Sequence, residues 1–428
     1  MRQRLAAEIT GAPVLQVLVW ASVVLPALIQ TIVAPKNRVF TTSVVPYSPV
    51  ASAAGAVLTL AIVAWGALIL FRRFDSLPTD GRTVLLVLLL PWVYQVTRDL
   101  YEPAPPRLGL VVYPVIVITM WVLRPRLEQL STLGYLIGLT AALSLVLAVA
   151  WPTKGILVSA AGTVVTPDKQ ILPWGILIGP FTDGNPLGEF LSLGLPAVAF
   201  IRSRWLRPLI IVMTIFAVVW TATRSSIAGI GIAAALAIGL TVIPARLRRV
   251  TAIAALGAVA VTCMVLPLIT TTSYAFSNRG YIWQASLRAW EQRPVVGLGS
   301  QWYAESAKYT TAIGETAFHG HNEFVQLLVL GGLINVALMA LMLGVVIWRA
   351  LGRLREGRTA PVALIMLILV SGCFEVSFSF VHRSYLMPVT AVPVALLVFA
   401  RPGRTASGRT ASASPSPTSA ADPVGATT

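Results

Sequence analysis

Residues 13–34 read PVLQVLVWASVVLPALIQTIVA and contain no charged side chain. A helix of about 20 apolar residues is long enough to cross the hydrocarbon core of a bilayer. Similar runs recur along the 428-residue chain, which is 56% hydrophobic and 11% charged, with a mean hydropathy of +0.80. A soluble domain keeps about a quarter of its residues charged. The sequence therefore predicts an all-α, polytopic integral membrane protein.

The apolar runs predict about 12 transmembrane helices. The first run is interpreted as an uncleaved helix rather than a signal peptide, because it is long enough to span and further spans follow it. The stretch 155–181 is apolar but broken by Gly and Pro, and could be re-entrant. The predicted spans are residues 13–34, 49–71, 83–97, 108–123, 133–151, 185–201, 206–222, 225–243, 249–270, 321–348, 362–380 and 385–400.

The arginines indicate the orientation of these spans. They cluster in every second loop, and cytoplasmic loops carry such an excess of Lys and Arg. This pattern explains the net charge of +16 without nucleic acid as a partner, and it places both termini in the cytoplasm. Residues 1–400 then form one membrane domain. Residues 401–428 are mostly Ser, Thr, Ala, Pro and Gly and predict a disordered cytoplasmic tail.

The longest hydrophilic stretch, residues 271–320, is predicted to lie on the outer side of the membrane. Loops of this length are uncommon without a function. Within it, Trp283, Leu287 and Trp290 recur at helical spacing until Pro294 ends the pattern. This spacing favours an amphipathic helix on the membrane surface, with packing inside the loop as the alternative.

Two histidines close this loop. His321 immediately precedes an apolar span, so it is expected at the outer end of a membrane helix. An imidazole titrates near neutral pH and can accept a proton from an incoming hydroxyl, which makes His321 a candidate general base. The alternative is a histidine that caps the helix or lies at the interface. His319 is interpreted as a loop residue.

Arg224 lies in a very short outer turn between two predicted spans. Its planar guanidinium donates two parallel hydrogen bonds, which suits a pyrophosphate at the lipid headgroups. The alternative is an interface anchor that extends its charge towards water. Arg98, Asp99 and Glu102 form another outer cluster, which could pair internally.

Two carboxylates fall inside predicted spans. An ionisable group in a membrane span predicts a functional site by default. Glu189 stands four residues after Asn185, so both occupy one helix face near the outer end. Glu189 and Glu375 are expected either to line the site or to pair internally.

No metal or cofactor site is predicted. The outer segments lack the ligand spacings typical of metal sites and a Gly-rich phosphate loop. The two cysteines, Cys263 and Cys373, lie in apolar spans and are interpreted as small apolar side chains.

Four segments resemble the O-antigen ligase and polymerase superfamily. They are FTDGNPLGEFLSLGLP (181–196), TATRSSIAGIGIA (221–233), SNRGYIWQASLRAWEQRPVVGLGSQWY (277–303) and HGHNEFVQLLVLGGL (319–333). The resemblance covers about residues 175–350. It implies a GT-C-like fold of about twelve spans with a large outer loop. It also implies metal-independent transfer of a glycan from an undecaprenyl-diphosphate carrier.

The resemblance assigns roles to individual residues. Arg224 and Arg279 match arginines that would bind the diphosphate, and His321 matches the base for the acceptor hydroxyl. Asn322 and Glu323 belong to the His-Asn-Glu series and are expected to bind substrate. Asn185 and Glu189 are expected to bind substrate because of their shared helix face near the outer end. The chain departs from the ligase pattern at Asn335, which stands at the position of the pattern's second glycine, whereas Gly332 is in register.

The predicted function is therefore glycan transfer at the outer face of a bacterial plasma membrane, in cell-envelope polysaccharide biosynthesis. The donor would be a lipid-diphosphate-linked glycan, and the acceptor a glycan, lipid or protein. A polysaccharide polymerase, a protein O-glycosylase, a small-anion transporter and a membrane scaffold remain as alternatives. A transporter would place ionisable groups and broken helices near the bilayer midplane, often in paired repeats.

Overall fold

A computed structural model describes residues 2–33, 47–101, 108–157, 169–309, 319–381 and 384–401. For residues 2–10 and 307–309 it describes the backbone only. The predicted tail beyond Arg401, together with Glu102, lies outside the described residues.

The described part is almost entirely helical. A single pair of antiparallel strands, β1 (Ile156–Leu157) and β2 (Ile176–Leu177), is the described sheet structure. Helices α1 to α8 are Arg2–Val33, Pro49–Arg72, Arg82–Asp99, Val112–Leu123, Leu130–Ala150, Pro152–Gly155, Gly184–Val198 and Leu206–Trp220. Helices α9 to α15 are Arg224–Val242, Ala245–Ile269, Ala275–Trp290, Trp302–Tyr309, Glu323–Arg353, Ala360–Gly372 and Ala391–Phe399.

The lengths of these helices confirm a multi-pass, all-α membrane protein. Among the described residues, six helices are long and apolar enough to cross a bilayer, beginning with Gly11–Val33 and Pro49–Arg72. Every predicted span overlaps a helix, but several of these helices are shorter than about 18 residues. The count of twelve spans and the GT-C-like fold therefore stay predictions.

Helices α14 and α15 lie at the centre of the bundle, where most of their side chains are buried. Helices α9 and α10 keep most of their apolar side chains exposed, as lipid-facing helices do. The two central helices are therefore separated from lipid by their neighbours. A polar site at their ends can be enclosed by protein.

The stretch 155–181 forms the β1–β2 pair, as far as it is described. Residues 158–168 between the strands lie outside the described part, so its suggested re-entrant path stays a prediction. Gly179 has a φ of +51°, and its backbone packs against the side chain of Ser144 on α5.

The long loop of residues 271–320 contains the expected helix, α11. Phe276, Ser277 and Asn278 all have positive φ, so regular helical geometry begins at Arg279. Trp283 is fully buried in a cluster with Val325 and Val329 of α13. This face of α11 therefore packs against protein, which supports the packing alternative for this side chain over a helix that turns the same face to lipid.

Helix α13 is broken at Gly332, where φ is +64° and ψ is −162°. A break inside a membrane helix frees backbone groups that have no water to pair with. Here a loop fills the gap. The N–H groups of Leu298 and Gly299 donate to Val329 O and Leu330 O at 2.7 and 3.0 Å.

On the other side of the break, Leu333 and Ile334 donate to the carbonyls of Pro294 and Val295 at 3.0 and 3.3 Å. Residues 294–299 thus form a main-chain joint with α13. The joint fixes the short helix 323–331, which leads back to His321.

The carboxyl end of α3 holds the same joint. The Tyr94 hydroxyl donates to Gly331 O at 2.9 Å, and the Arg98 guanidinium donates to Val296 O and Gly297 O at 3.3 and 3.0 Å. The Asp99 carboxylate accepts from the Ser300 N–H at 3.0 Å. The predicted outer cluster at Arg98 and Asp99 therefore anchors a loop.

We expect Gly332→Ala to destabilise the protein. A Cβ at this position would collide with the Val295 backbone, and the positive φ with extended ψ is essentially restricted to glycine. The expected loss is about 1–3 kcal/mol of folding free energy, or a failure to fold, measured as a lower midpoint of thermal unfolding in detergent. Gly344→Ala on the same helix is the matched control, because a Cβ there meets nothing within 4 Å. Equal midpoints for the two variants would contradict the joint.

Candidate functional site

His321 sits immediately before α13, in a strained and well-supported position. Its φ is +46°, which is uncommon for a residue with a side chain. Its carbonyl accepts from the indole N–H of Trp283 at 3.3 Å. Non-glycine residues in this region cluster at functional sites when their surroundings over-determine the backbone.

The imidazole of His321 contacts the carboxylate of Glu375. The Nδ1 and Oε2 atoms are 3.1 Å apart, and the two side chains are 18% and 9% exposed. An ionised carboxylate only accepts hydrogen bonds, so this contact places the imidazole proton on Nδ1. The Nε2 atom then carries the lone pair, as a general base requires.

Arg279 forms an ion pair with the other oxygen of Glu375, through its Nη2 atom. The first regular residue of α11 is therefore tied to the segment that follows α14. The pair keeps the carboxylate ionised beside the histidine and holds the guanidinium next to the imidazole.

His319 completes the cluster. Its ring lies 4.1 Å from the ring of His321, between centroids, and its Nε2 is 3.8 Å from Glu375 Oε2. The Nδ1 atom of His319 accepts from the backbone N–H of His321 at 3.1 Å, so the proton of the neutral ring is on Nε2. Burial, followed by the neighbouring His321 ring and the Arg279 guanidinium, lowers the pKa of His319 and keeps it neutral, although Glu375 opposes this shift.

The three side chains of His319, His321 and Glu375 bring possible metal-ligand atoms within 4.8 Å of one another. The hydrogen bonds do not suit a metal site. His319 Nδ1 is occupied by a backbone N–H, its Nε2 carries the proton, and the Arg279 guanidinium already compensates the charge of Glu375. A bound cation would have to break these contacts and face the guanidinium.

Glu189 lies on α7 and accepts two side-chain hydrogen bonds. The hydroxyls of Ser371 and Tyr385 donate to its two oxygens, the second at 2.6 Å. Glu189 is 3% exposed and lies within electrostatic reach of Glu375 and Arg279. The predicted carboxylate pair is therefore brought to one region, and Glu189 pairs internally.

Arg224 and Asn185 lie near the amino-terminal end of α7. Arg224 is the first residue of α9 and is exposed, and it follows a turn in which Thr223 donates to Gly184 O at 3.0 Å. Asn185 is the next residue of α7 and is partly buried. The backbone at Gly184 and Gly188 packs directly against this turn. The turn that precedes Arg224 therefore packs on the same helix that carries Glu189.

Asn322 is engaged entirely by protein groups. Its Oδ1 accepts from the Val325 N–H at 3.0 Å and caps α13. Its amide nitrogen donates to the carbonyls of Cys263 and Cys373 at 3.0 and 3.1 Å, and the side chain is fully buried. These contacts give Asn322 a structural role directly after His321.

The side chain of Glu323 is also bound by protein groups. Its Oε2 accepts from the backbone N–H groups of Ser377 and Phe378 at 2.7 and 3.1 Å, and the residue is 8% exposed. It therefore fixes the segment that carries Glu375. Substrate binding by Asn322 and Glu323 stays a prediction, and their contacts support the site from behind.

The sequence did not reveal the partners of His321 and Glu189. Glu375 was recognisable as an ionisable group in a span, but its pairing joins residues 54 positions apart. Ser371 and Tyr385 carried no signal, because single hydroxyls are common in membrane helices.

Residues 209–340 match the family model described as O-Antigen ligase. This match confirms the resemblance found in the sequence for that part of the chain. It includes Arg224, Arg279 and His321, whereas Glu189 and Glu375 lie outside it. No curated protein matches the chain.

We expect Asn322→Leu to destabilise the protein by several kcal/mol, because it leaves buried carbonyls and the Val325 N–H without partners, at about 1–3 kcal/mol each. Asn322→Ser keeps an oxygen that can cap α13 but loses the two amide donations, so its unfolding midpoint should lie between those of the parent protein and the leucine variant. Thermal unfolding in detergent measures both. A leucine variant as stable as the parent would refute the structural role.

Proposed function

We propose that this multi-pass membrane protein, whose residues 209–340 match the O-antigen ligase family, transfers a glycan from a lipid diphosphate to an acceptor hydroxyl. The observation that carries the proposal is the cluster of His321, Glu375 and Arg279 at the end of α13. It combines a base, a group that orients the base, and a cation. We place the reaction at the outer face of a bacterial plasma membrane, with both termini in the cytoplasm and undecaprenyl diphosphate as the carrier.

The donor side of the site follows from charge. Breaking the bond between a sugar and a diphosphate leaves negative charge on the phosphate oxygens, and guanidinium groups stabilise it where water is sparse. Arg279 and Arg224 supply these groups in the proposal. Arg224 is also the first residue of α9, where the helix dipole favours an anion. These two charges perform the role that a metal ion performs in other transferases.

The acceptor side follows from the tautomer of His321. With Nδ1 turned to Glu375, Nε2 removes the proton of the acceptor hydroxyl as its oxygen attacks the anomeric carbon. General-base catalysis of this kind typically contributes about 10²- to 10⁴-fold. Glu375 stabilises the imidazolium that forms, as the carboxylate of a catalytic triad does. A single displacement inverts the anomeric centre, by analogy with inverting glycosidases.

The remaining predicted residues take supporting positions in this proposal. Asn185, on the first turn of α7, contacts the sugar, and Glu189 holds the segments around Ser371 and Tyr385 in place. Asn322 and Glu323 position His321 and Glu375 from behind. We assign no cofactor to the reaction.

The ionisable groups of this site gather at one end of α13, α11 and α7 and not at the break in α13, which does not favour the small-anion transporter. The acceptor is a glycan, a lipid or a protein, and transfer of a finished chain and polymerisation use the same chemistry. The family match fits both reactions.

We expect His321→Ala to lower glycan transfer by about 10²- to 10⁴-fold in membranes supplied with lipid-diphosphate-linked glycan. Glu375→Gln should reduce the turnover rate less severely, since it removes the group that orients the base but not the base itself. Transfer is measured by the mobility of the labelled glycan product, and expression by immunoblot. Near-parental transfer by His321→Ala would refute the assignment of the base.

For Arg224→Gln and Arg279→Gln we expect weaker binding of the diphosphate donor, by roughly ten- to hundredfold for each lost charge-assisted contact. Equilibrium binding of a labelled donor measures this directly. Arg288→Gln is the matched control, because its exposed guanidinium donates to Gln284 O of its own helix and has no place in the proposed site. If the two variants bind the donor as Arg288→Gln does, their proposed role is wrong.

A further inference from the structure

A second feature lies apart from the His321 cluster. It is a cavity of about 270 Å³ between the carboxyl end of α3 and the loop that joins α13. This volume is near the lower end of the roughly 300–1,000 Å³ found for small-molecule sites. The lining residues are Tyr94, Thr97, Arg98, Tyr101, Arg293 and Val296.

The charged side chains that line the cavity are two arginines, and part of the lining is held in place. The buried Arg98 guanidinium is held against Val296 O and Gly297 O, and the Tyr94 hydroxyl is bound to Gly331 O. The neighbouring carboxylate of Asp99 is turned to the Ser300 N–H and does not line the cavity. Because Arg98 already donates to these carbonyls, the exposed Arg293 is the side chain whose planar fork can donate two parallel hydrogen bonds to a phosphate.

Exposed apolar side chains surround part of the cavity. Tyr101 and Val296 of its lining are 87% and 42% exposed, and their chain neighbours Leu100 and Val295 are 79% and 53% exposed. Tyrosine rings and exposed aliphatic side chains beside arginine are typical of the level at which lipid headgroups meet the hydrocarbon core. The 294–299 loop connects the cavity to α13, the helix that begins beside His321.

We propose that this cavity binds a phosphate group carried by a lipid. The separation from His321 indicates which lipid suits it. Nine residues of unbroken helix lie between His321 and the break at Gly332. At about 1.5 Å per residue, His321 lies roughly 14 Å from the break, and the cavity residue Tyr94 binds Gly331 O at that break. A single sugar does not bridge that distance, but an oligosaccharide does.

The cavity therefore suits the diphosphate end of a lipid-linked acceptor whose far hydroxyl reaches His321. This assignment rests on the proposed function, whereas binding of a lipid phosphate at the cavity does not. If the acceptor is itself lipid-linked, the protein elongates a glycan rather than modifying a protein. The same cavity could be filled by the phosphate of a membrane phospholipid, and the experiment separates the two sources.

The test uses the full chain carrying His321→Ala, so that binding is measured without turnover. Native mass spectrometry in detergent counts bound farnesyl diphosphate and, in a parallel titration, bound phosphatidylglycerol. Arg293→Gln removes an exposed charge from the cavity, and Thr97→Phe fills it without changing charge. Arg288→Gln is the control, because it removes a similarly exposed arginine that does not line the cavity.

We expect the His321→Ala chain, with or without Arg288→Gln, to bind two molecules of farnesyl diphosphate. One lies at the cavity and the other at Arg224 and Arg279. The two cavity variants should bind the second molecule about tenfold to hundredfold more weakly. In the active chain, Arg293→Gln should raise the KM for a lipid-linked acceptor and leave kcat unchanged.

Loss of phosphatidylglycerol alone from the cavity variants would support a lipid phosphate but assign it to the membrane, and would overturn the acceptor role. Unchanged binding of both lipids by both variants would overturn the site itself. Failure of His321→Ala to stop transfer would contradict the proposed function and leave these binding results intact, so the two failures are distinguishable.

Discussion

The main-chain joint between the 294–299 loop and α13 is the constraint on which the site depends. A helix broken inside a membrane protein has to pair its freed carbonyls and N–H groups, because lipid offers no substitute. Here the loop supplies four such hydrogen bonds around Gly332. The helix before the break is thereby fixed in direction. His321 stands at its beginning, so the position of the candidate base follows from backbone pairing far from the base itself.

A single carboxylate organises the electrostatics of the cluster. Glu375 contacts Arg279 with one oxygen and His321 with the other, and His319 faces the same side. An ion pair in a site that excludes water costs desolvation energy that its own attraction only partly offsets. The arrangement therefore indicates that the group serves position and proton placement more than stability. Glu189 has a different environment, because its two oxygens accept hydrogen bonds from neutral hydroxyls.

The sequence predicted the helical membrane architecture because the length and charge of apolar runs reflect the bilayer directly. It also predicted His321 as a candidate base, since the boundary between a polar loop and an apolar span can be read directly from the order of residues. The partner of His321 was not predictable, because Glu375 meets it through the packing of α13 against the end of α14. The motif predicted that Asn322 binds substrate, whereas three hydrogen bonds to protein groups occupy its side-chain amide. Short motifs do not separate residues that touch substrate from residues that hold the backbone.

The four hydrogen bonds that join the loop to α13 around Gly332 connect main-chain atoms, and side chains of α3 hold the same backbone from its other side. Leu298 packs against the Trp283 cluster, whereas Val295 and Val296 are exposed. The side chains at residues 295 and 296 can therefore vary in shape and charge without breaking the hydrogen bonds that fix the backbone before His321. A fold of this kind can change the surface of one exposed loop without moving the backbone that carries its candidate base.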